Sequence, residues 1–177
     1  MNEEAIVQEL ISNLSKSALA SRILLRRNLG NSYFQLPEGA RRVFLAIVPS
    51  DVRNIADYKE RNRILNALLF VSCVYSAYHN EKHCTNSCNH VAFEDVLARL
   101  YVRMPYAARK RQIVEHVLTL SSTDPSLYKG LRNLLRQAMM IDHTEIDVSA
   151  LAHDLIHWDD LAMETPVKQK WMAALAL

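Results

Sequence analysis

The fold is decided by residues 60–80, whose sequence is ERNRILNALLFVSCVYSAYHN. From Ala67 to Val71 every residue of this stretch is apolar, so its helix would be apolar almost all round. Such a helix is stable in water only when other helices enclose it. The apolar run from 64 to 78 is also too short to span a bilayer and contains polar residues. We therefore expect a buried central helix.

Nearly all of the remaining chain has helical period. A helix restart is predicted at Leu36-Pro37-Glu38 because proline suits a first helical turn, and Gly30 is a plausible C-terminal cap for the helix before it. The other predicted helices are 4–14, 16–28, 60–80, 93–103, 106–120, 125–141 and 148–160, with a last one after Thr165-Pro166. A β-sandwich or barrel needs many tight turns, and the chain has only three glycines.

These patterns predict an all-α protein, a compact bundle of about eight to nine helices that is either undivided or built from two small lobes. We expect residues 1–177 to form a single domain, which is a typical length for one domain. Glu3 and Glu4 stand where a signal peptide would carry basic residues, and the three cysteines are an odd number, so a cytoplasmic protein with reduced thiols is expected.

The charge is unevenly distributed along the chain. Between Arg99 and Arg136 there are eight Lys and Arg against two acidic residues, a net charge of +6, although the whole chain carries only +2. From Asp142 to Glu164 there are seven acidic residues and no Lys or Arg. This asymmetry predicts a face that binds a polyanion such as nucleic acid.

The helix from 125 shows how such a face would be built. Its apolar residues Leu131, Leu134, Leu135 and Ala138 follow helical spacing and should pack inward. Lys129, Arg132 and Arg136, here called the basic stripe, then fall on the opposite side. Because aromatic residues are only 7% of the chain, we expect contacts with phosphates to dominate over base stacking. A solvated helix face is the alternative for each of these residues, and cations at Arg26 and Arg27 also suit a helix C-terminus.

Two clusters contain metal-ligand residue types. His79, His83, Cys84, Cys88 and His90 lie within twelve residues, but their spacing matches no standard zinc finger, and a polar loop of unconnected side chains is the alternative. We expect no structural zinc there.

His153 and His157 are four residues apart on one predicted helix face, as in the HExxH motif of metalloproteases. Here Asp154 takes the place of the general-base Glu, and both histidines should point to solvent rather than into a dry cleft. A zinc hydrolase using this pair is a minor alternative. The sequence contains no nucleophile elbow, Walker loop or dinucleotide fingerprint, and we expect no cofactor and no enzymatic activity.

The order of short segments along the chain resembles the CasB family. The segments that carry the resemblance, over about 150 residues, are Leu25-Arg26-Arg27, Ser32-Tyr33-Phe34-Gln35-Leu36-Pro37, Asn66-Ala67-Leu68-Leu69-Phe70, Ser76-Ala77-Tyr78-His79, Phe93, Leu97-Ala98-Arg99-Leu100, Arg109-Lys110-Arg111, Gly130-Leu131-Arg132-Asn133-Leu134-Leu135, Ile146-Asp147, Leu151-Ala152-His153-Asp154-Leu155, Trp158, Val167 and Trp171.

The resemblance implies an all-helical, non-catalytic small subunit of the type I-E CRISPR surveillance complex, Cascade. It implies two copies side by side along the hybrid of guide RNA and target DNA, in contact with the large subunit and the backbone subunits. These copies would hold the displaced non-target DNA strand on a basic surface. A stand-alone protein that binds single-stranded nucleic acid without sequence preference is the alternative outside CRISPR.

The family's basic positions carry over to seven residues of this chain. They are Arg26, Arg27, Arg99, Arg109, Lys110, Arg111 and Arg132. Lys129 and Arg136 are added because the helix from 125 places them in the basic stripe. The His- and Cys-containing segment 83–90 departs from the family, which usually has a short Gly-containing polar segment there.

Overall fold

The computed structural model describes residues 2–79, 91–103, 107–141 and 146–175, and the side chains of residues 103, 107–111 and 141 lie outside that description. The described residues form ten α-helices, nine of them with seven or more residues, so the prediction of an all-α fold is confirmed. The helices are α1 Glu3–Ser15, α2 Leu19–Arg27, α3 Glu38–Ile47, α4 Ser50–Arg53, α5 Tyr58–Tyr78, α6 Phe93–Arg103, α7 Ala107–Thr119, α8 Pro125–Ile141, α9 Val148–Ile156 and α10 Val167–Ala174.

Two smaller features complete the described backbone. A short 3-10 turn covers Tyr33–Gln35, and one isolated β-bridge joins Val91 to Ile146. Among the described residues, no helix is long and apolar enough to cross a membrane. The chain divides into two compact units, residues 1–79 (unit 1) and 80–177 (unit 2).

The centre of unit 1 is α5. Every residue from Ala67 to Tyr75 is buried, as the apolar sequence of this helix predicted. Helices α1 and α2 pack against it and supply Leu10, Leu14 and Leu25 to the same core. Burial raises the pKa of the Cys73 thiol, which therefore stays protonated inside α5.

In unit 2, helices α6, α7 and α8 pack against one another and α10 packs against α6. Gly130 of α8 makes the α7–α8 contact possible, because a Cβ at this position would lie 2.6 Å from Cγ2 of Val117. Phe93, Trp158 and Trp171 form an edge-to-face aromatic cluster with ring centroids 5.1–5.2 Å apart along it. This cluster joins α6, α10 and the segment that follows α9.

The structure corrects several predicted helix ends. Pro37 and Pro166 stand at the N-cap positions of α3 and α10, one residue outside the first turn, so Thr165 does not cap α10. Helix α9 ends at Ile156 rather than near residue 160, because Trp158 turns inward and its Nε1–H donates to the carbonyl of Leu120 at 2.9 Å. Gly30 has a φ of 90°, a left-handed conformation that favours glycine, in the turn after α2.

Candidate nucleic-acid interface

Helix α8 has the two-sided character that its sequence predicts. The four apolar residues that were expected to pack inward, Leu131, Leu134, Leu135 and Ala138, are all buried. Lys129 and Arg136 are exposed, and Arg132 is half-buried. A helix rises 1.5 Å per residue, so the basic stripe extends about 10 Å along α8.

Arg132 is held closer to the protein than the other two members of the stripe. Its Nη2 donates a long hydrogen bond to Oδ1 of the neighbouring Asn133, at 3.4 Å. Its Nε is buried and has no hydrogen-bond partner within the described residues. Across those same residues, none of the three stripe side chains forms an ion pair with a carboxylate. Their positive charge is therefore available to an anion from outside.

Helix α8 begins with a capped first turn. Asp124 accepts a hydrogen bond from the Ser126 N–H at 2.8 Å, and hydrogen bonds from Ser126 lower the pKa of Asp124. With Pro125 as its first residue, α8 begins as Asp124-Pro125 predicted. The carboxylate stands at the positive end of the helix dipole, about a turn away from Lys129.

The other predicted basic residues divide between the two units. Arg99 is exposed on α6, which packs directly against α8, so the two helices belong to the same three-helix group of unit 2. Arg109, Lys110 and Arg111 belong to the first turns of α7 in that group, and their side chains lie outside the described residues. Arg26 and Arg27 are exposed in the last turn of α2, in unit 1.

Several described carboxylates of the acidic segment that follows α8 are engaged in interactions within unit 2. Asp147 caps α9 by accepting hydrogen bonds from the N–H groups of Ser149 and Ala150, both at 2.9 Å. Asp154 is only 3% exposed, and both of its oxygens lie 2.7 Å from Nζ of Lys170. These carboxylates stabilise α9 and its contact with α10.

Asp159 has a similar local role. Partial burial opposes its ionisation, but hydrogen bonds from Ser122 and Lys168 outweigh that effect and lower the pKa of Asp159 to about 2. The Ser122 N–H donates at 2.7 Å and Lys168 Nζ at 2.9 Å. Part of the acidic charge that the sequence shows after α8 is therefore neutralised by lysines of α10.

The rings of His153 and His157 lie close together, with centroids 4.7 Å apart, but the residue in the general-base position is engaged elsewhere. His153 is exposed as expected, but His157 is half-buried, because α9 ends before it and its Nδ1 lies 3.3 Å from Oδ2 of Asp160. Asp154, the residue in the general-base position, turns away into the core, where it accepts a hydrogen bond from Nε1 of Trp171 at 2.7 Å. The expectation that both histidines point freely to solvent was therefore wrong for His157.

The other predicted ligand cluster falls mostly outside the described residues. His83, Cys84, Cys88 and His90 lie there, and their predicted lack of zinc stays a prediction. His79 follows the last residue of α5, and its ring stacks on that of Tyr75 with centroids 4.2 Å apart. This histidine therefore has a packing role in unit 1.

The structure also brings together side chains that the sequence analysis did not connect. Phe34 and Tyr58 are exposed in unit 1, and their ring centroids lie 6.3 Å apart. They are 24 positions apart in the sequence, so no local pattern joins them. The sequence did indicate that Arg61 lies near Tyr58, because it stands three residues later on the same face of α5.

A family model and a solved structure match this chain. The family model for CRISPR-associated protein Cse2 matches residues 21–174. The crystal structure of CasB from M. ruber is similar with a TM-score of 0.67 at 20% sequence identity, and the match covers 99% of this chain and 93% of that one. A search of curated proteins finds no match.

Proposed function

Because this chain belongs to the CRISPR-associated Cse2 family, whose members are subunits of the type I-E Cascade complex, we propose that it binds nucleic acid through the basic stripe and stabilises the R-loop. In this proposal it acts without catalysing a reaction, in the cytoplasm. Its partners are the guide RNA, the target DNA, the large and backbone subunits and a second copy of itself. The displaced non-target strand is the ligand of the basic stripe.

The proposal rests on which side chains of α8 are buried and which are exposed. Its apolar residues are buried, whereas Lys129 and Arg136 project from the opposite side without a carboxylate partner among the described residues. A helix that only needed a solvated surface would gain from pairing these cations with acids four residues away. Arg99 on the neighbouring α6 adds an exposed guanidinium to that helix group.

Physical chemistry gives such a surface a role in target binding. R-loop formation exchanges a DNA duplex for an RNA–DNA hybrid of similar stability, so modest contacts decide the balance. Cations that hold the freed strand make its return to the duplex less favourable. Each phosphate contact releases counterions and is indifferent to base sequence, which suits a subunit that must accept any target.

The test compares two pairs of substitutions in the purified subunit with single-stranded DNA of mixed sequence. Lys129→Gln with Arg136→Gln removes two cations of the basic stripe. Lys16→Gln with Arg53→Gln removes one exposed Lys and one exposed Arg from unit 1 and is the matched control. Two lost phosphate contacts should reduce the slope of log K against log[salt] by about 1.4, and the control should leave it nearly unchanged.

In the assembled complex, the stripe variant should weaken target binding and expose the displaced strand to permanganate, with assembly on the guide RNA less affected. The larger set of Arg109, Lys110, Arg111, Arg132 and Arg136 changed to Ala should have a stronger effect, because phosphate contacts accumulate. Equal slopes for the stripe and control variants would show that net charge alone governs binding. Unaltered protection of the displaced strand would contradict the proposed R-loop role.

A further inference from the structure

Unit 1 exposes a continuous row of aromatic rings with a guanidinium at each end. In order along the row, its members are Arg41, Tyr33, Phe34, Tyr58 and Arg61. Successive members lie 5.6, 5.6, 6.3 and 5.6 Å apart, measured between ring centroids or from the arginine Cζ to a centroid. We call this row the aromatic stripe.

The two central rings are displayed to solvent. Phe34 is 56% exposed and Tyr58 is 57% exposed. Large apolar side chains exposed side by side mark an interaction site more often than large apolar side chains exposed singly. Tyr33 is half-buried and rests against Phe44, which is fully buried and connects the row to the core of unit 1.

The backbone that carries Phe34 is fixed in place. The Tyr33 N–H donates to Oδ1 of Asn66 on α5 at 2.7 Å, and the Ser32 N–H donates to Oε1 of Gln35 at 3.0 Å. Arg41 Nη2 donates to the carbonyl of Phe34 at 3.3 Å. The backbone turn that exposes the Phe34 ring is therefore anchored, and the ring faces solvent without a ligand bound.

Tyr58 is anchored in a different way. It is the first residue of α5, and Asp57 caps that helix by accepting hydrogen bonds from the N–H groups of Lys59 and Glu60 at 2.7 and 3.0 Å. Hydrogen bonds from these two groups lower the pKa of Asp57, so the cap is ionised at neutral pH. The two rings consequently stand on two separate, rigid elements of one unit.

The terminal arginines are oriented but keep their charge. Arg61 Nη1 donates to the carbonyl of Ile55 at 3.2 Å while its guanidinium lies over the ring of Tyr58. Neither Arg41 nor Arg61 forms an ion pair within the part of the chain that the structure describes. Arg61 therefore offers a positive charge beside the exposed ring of Tyr58, whereas Arg41, whose Nε is buried, lies beside the half-buried Tyr33.

We propose that the aromatic stripe is a base-stacking site for single-stranded nucleic acid, with one or two bases on Phe34 and Tyr58 and phosphates beside the arginines. This inference rests on the proposed function. A nucleotide combines a flat apolar face with an anion, and the stripe presents the complementary features in adjacent positions. The low aromatic content of the chain predicted that phosphate contacts dominate, and the aromatic stripe adds a component of binding that does not depend on salt.

The test uses single-stranded DNA that contains 2-aminopurine, whose fluorescence falls when the base stacks on an aromatic ring. Wild-type protein should quench the probe. Phe34→Leu with Tyr58→Leu keeps apolar side chains but removes the rings, so it should abolish most of the quenching and weaken binding at least about fivefold. Its salt slope should equal that of wild type, because no cation is lost.

Three controls make the result decisive. The variant that combines Phe34→Tyr with Tyr58→Leu keeps one aromatic ring and should quench the probe in part. The leucine pair keeps neither ring and should not. Leu161→Ala removes an even more exposed apolar side chain from unit 2 and should have no effect. Circular dichroism should show the same helix content for all variants, because the replaced rings are exposed.

The outcomes also separate this inference from the proposed function. Unchanged quenching and affinity in the leucine pair would overturn the stacking site, and a defect confined to complex assembly would identify the stripe as a protein contact instead. A normal salt slope in the Lys129→Gln, Arg136→Gln variant would contradict the proposed function. A reduced salt slope in the Lys129→Gln, Arg136→Gln variant, with 2-aminopurine quenched as in wild type, would leave the stacking site standing.

Discussion

Gly130→Ala provides a sensitive test of the packing between α7 and α8. The added Cβ would lie 2.6 Å from Cγ2 of Val117, whereas carbon atoms in favourable contact are about 3.5–4.0 Å apart. The helices would have to separate by about 1 Å, because a β-branched side chain in a helix has little freedom to turn away. Such overpacking costs about 1–3 kcal/mol, and the better helix propensity of Ala returns about 1 kcal/mol.

Gly39 is a matched control for this substitution. It lies in α3, where an added Cβ meets no atom within 4 Å, so Gly39→Ala should stabilise its unit by up to about 1 kcal/mol. Gly130→Ala should instead range from neutral to about 2 kcal/mol destabilising. The free energies of unfolding would come from urea titrations followed by far-ultraviolet circular dichroism.

A second substitution tests the assigned cause. Val117→Ala removes the methyl group that the new Cβ would meet, so it should cost less in the Gly130→Ala background than in wild type. The reasoning is refuted if Gly130→Ala stabilises as much as Gly39→Ala, or if the two changes in unit 2 are simply additive. Since α8 carries the basic stripe, Gly130→Ala should also shift Lys129 and Arg132 relative to α6.

The remaining predictions concern the acidic segment and the cysteines. Asp154→Ala should destabilise the protein by about 1–3 kcal/mol, because it leaves the buried indole N–H of Trp171 without its acceptor while Lys170 keeps its ion pair with Glu94; wild-type stability in urea would contradict this. The pKa of Asp159 is about 2, below its unfolded value, so its stabilising contribution is present above pH 4 and is lost as the pH falls towards 2. Asp159→Asn should therefore make the free energy of unfolding depend less on pH between 4 and 2. The same pH dependence as in wild type would show that Asp159 does not stabilise the fold in this way. Replacing Cys84 and Cys88 by Ser should leave the melting temperature unchanged, and one equivalent of zinc by elemental analysis would show the opposite.

The helices were predictable because their signals are local. The apolar run of α5, the alternating faces of α8 and the Asp124-Pro125 start all act within a few residues of the chain. The end of α9 was missed because it depends on a distant partner, the carbonyl of Leu120, which receives the indole N–H of Trp158. Helix stops of this kind are set by tertiary contacts, which propensity and spacing do not contain.

The candidate site divides in the same way. The basic stripe was predictable from one helix, since an apolar face implies the direction of the residues opposite it. The aromatic stripe was not, because Phe34 reaches Tyr58 only after a turn anchored on α5 places them side by side. The lysine partners of Asp154 and Asp159 were equally hidden, because both lysines belong to α10, which begins several residues later.

The chain has only two tryptophans, Trp158 and Trp171, and both are buried together in unit 2. Their indole N–H groups donate to a backbone carbonyl and to the carboxylate of Asp154, so any opening of this cluster changes the polarity around both rings at once. Intrinsic tryptophan emission therefore reports on the second half of the molecule, while unit 1 contributes only tyrosine. Unfolding followed by emission and by circular dichroism on one sample gives two curves, and the gap between their midpoints measures how strongly each half depends on the other.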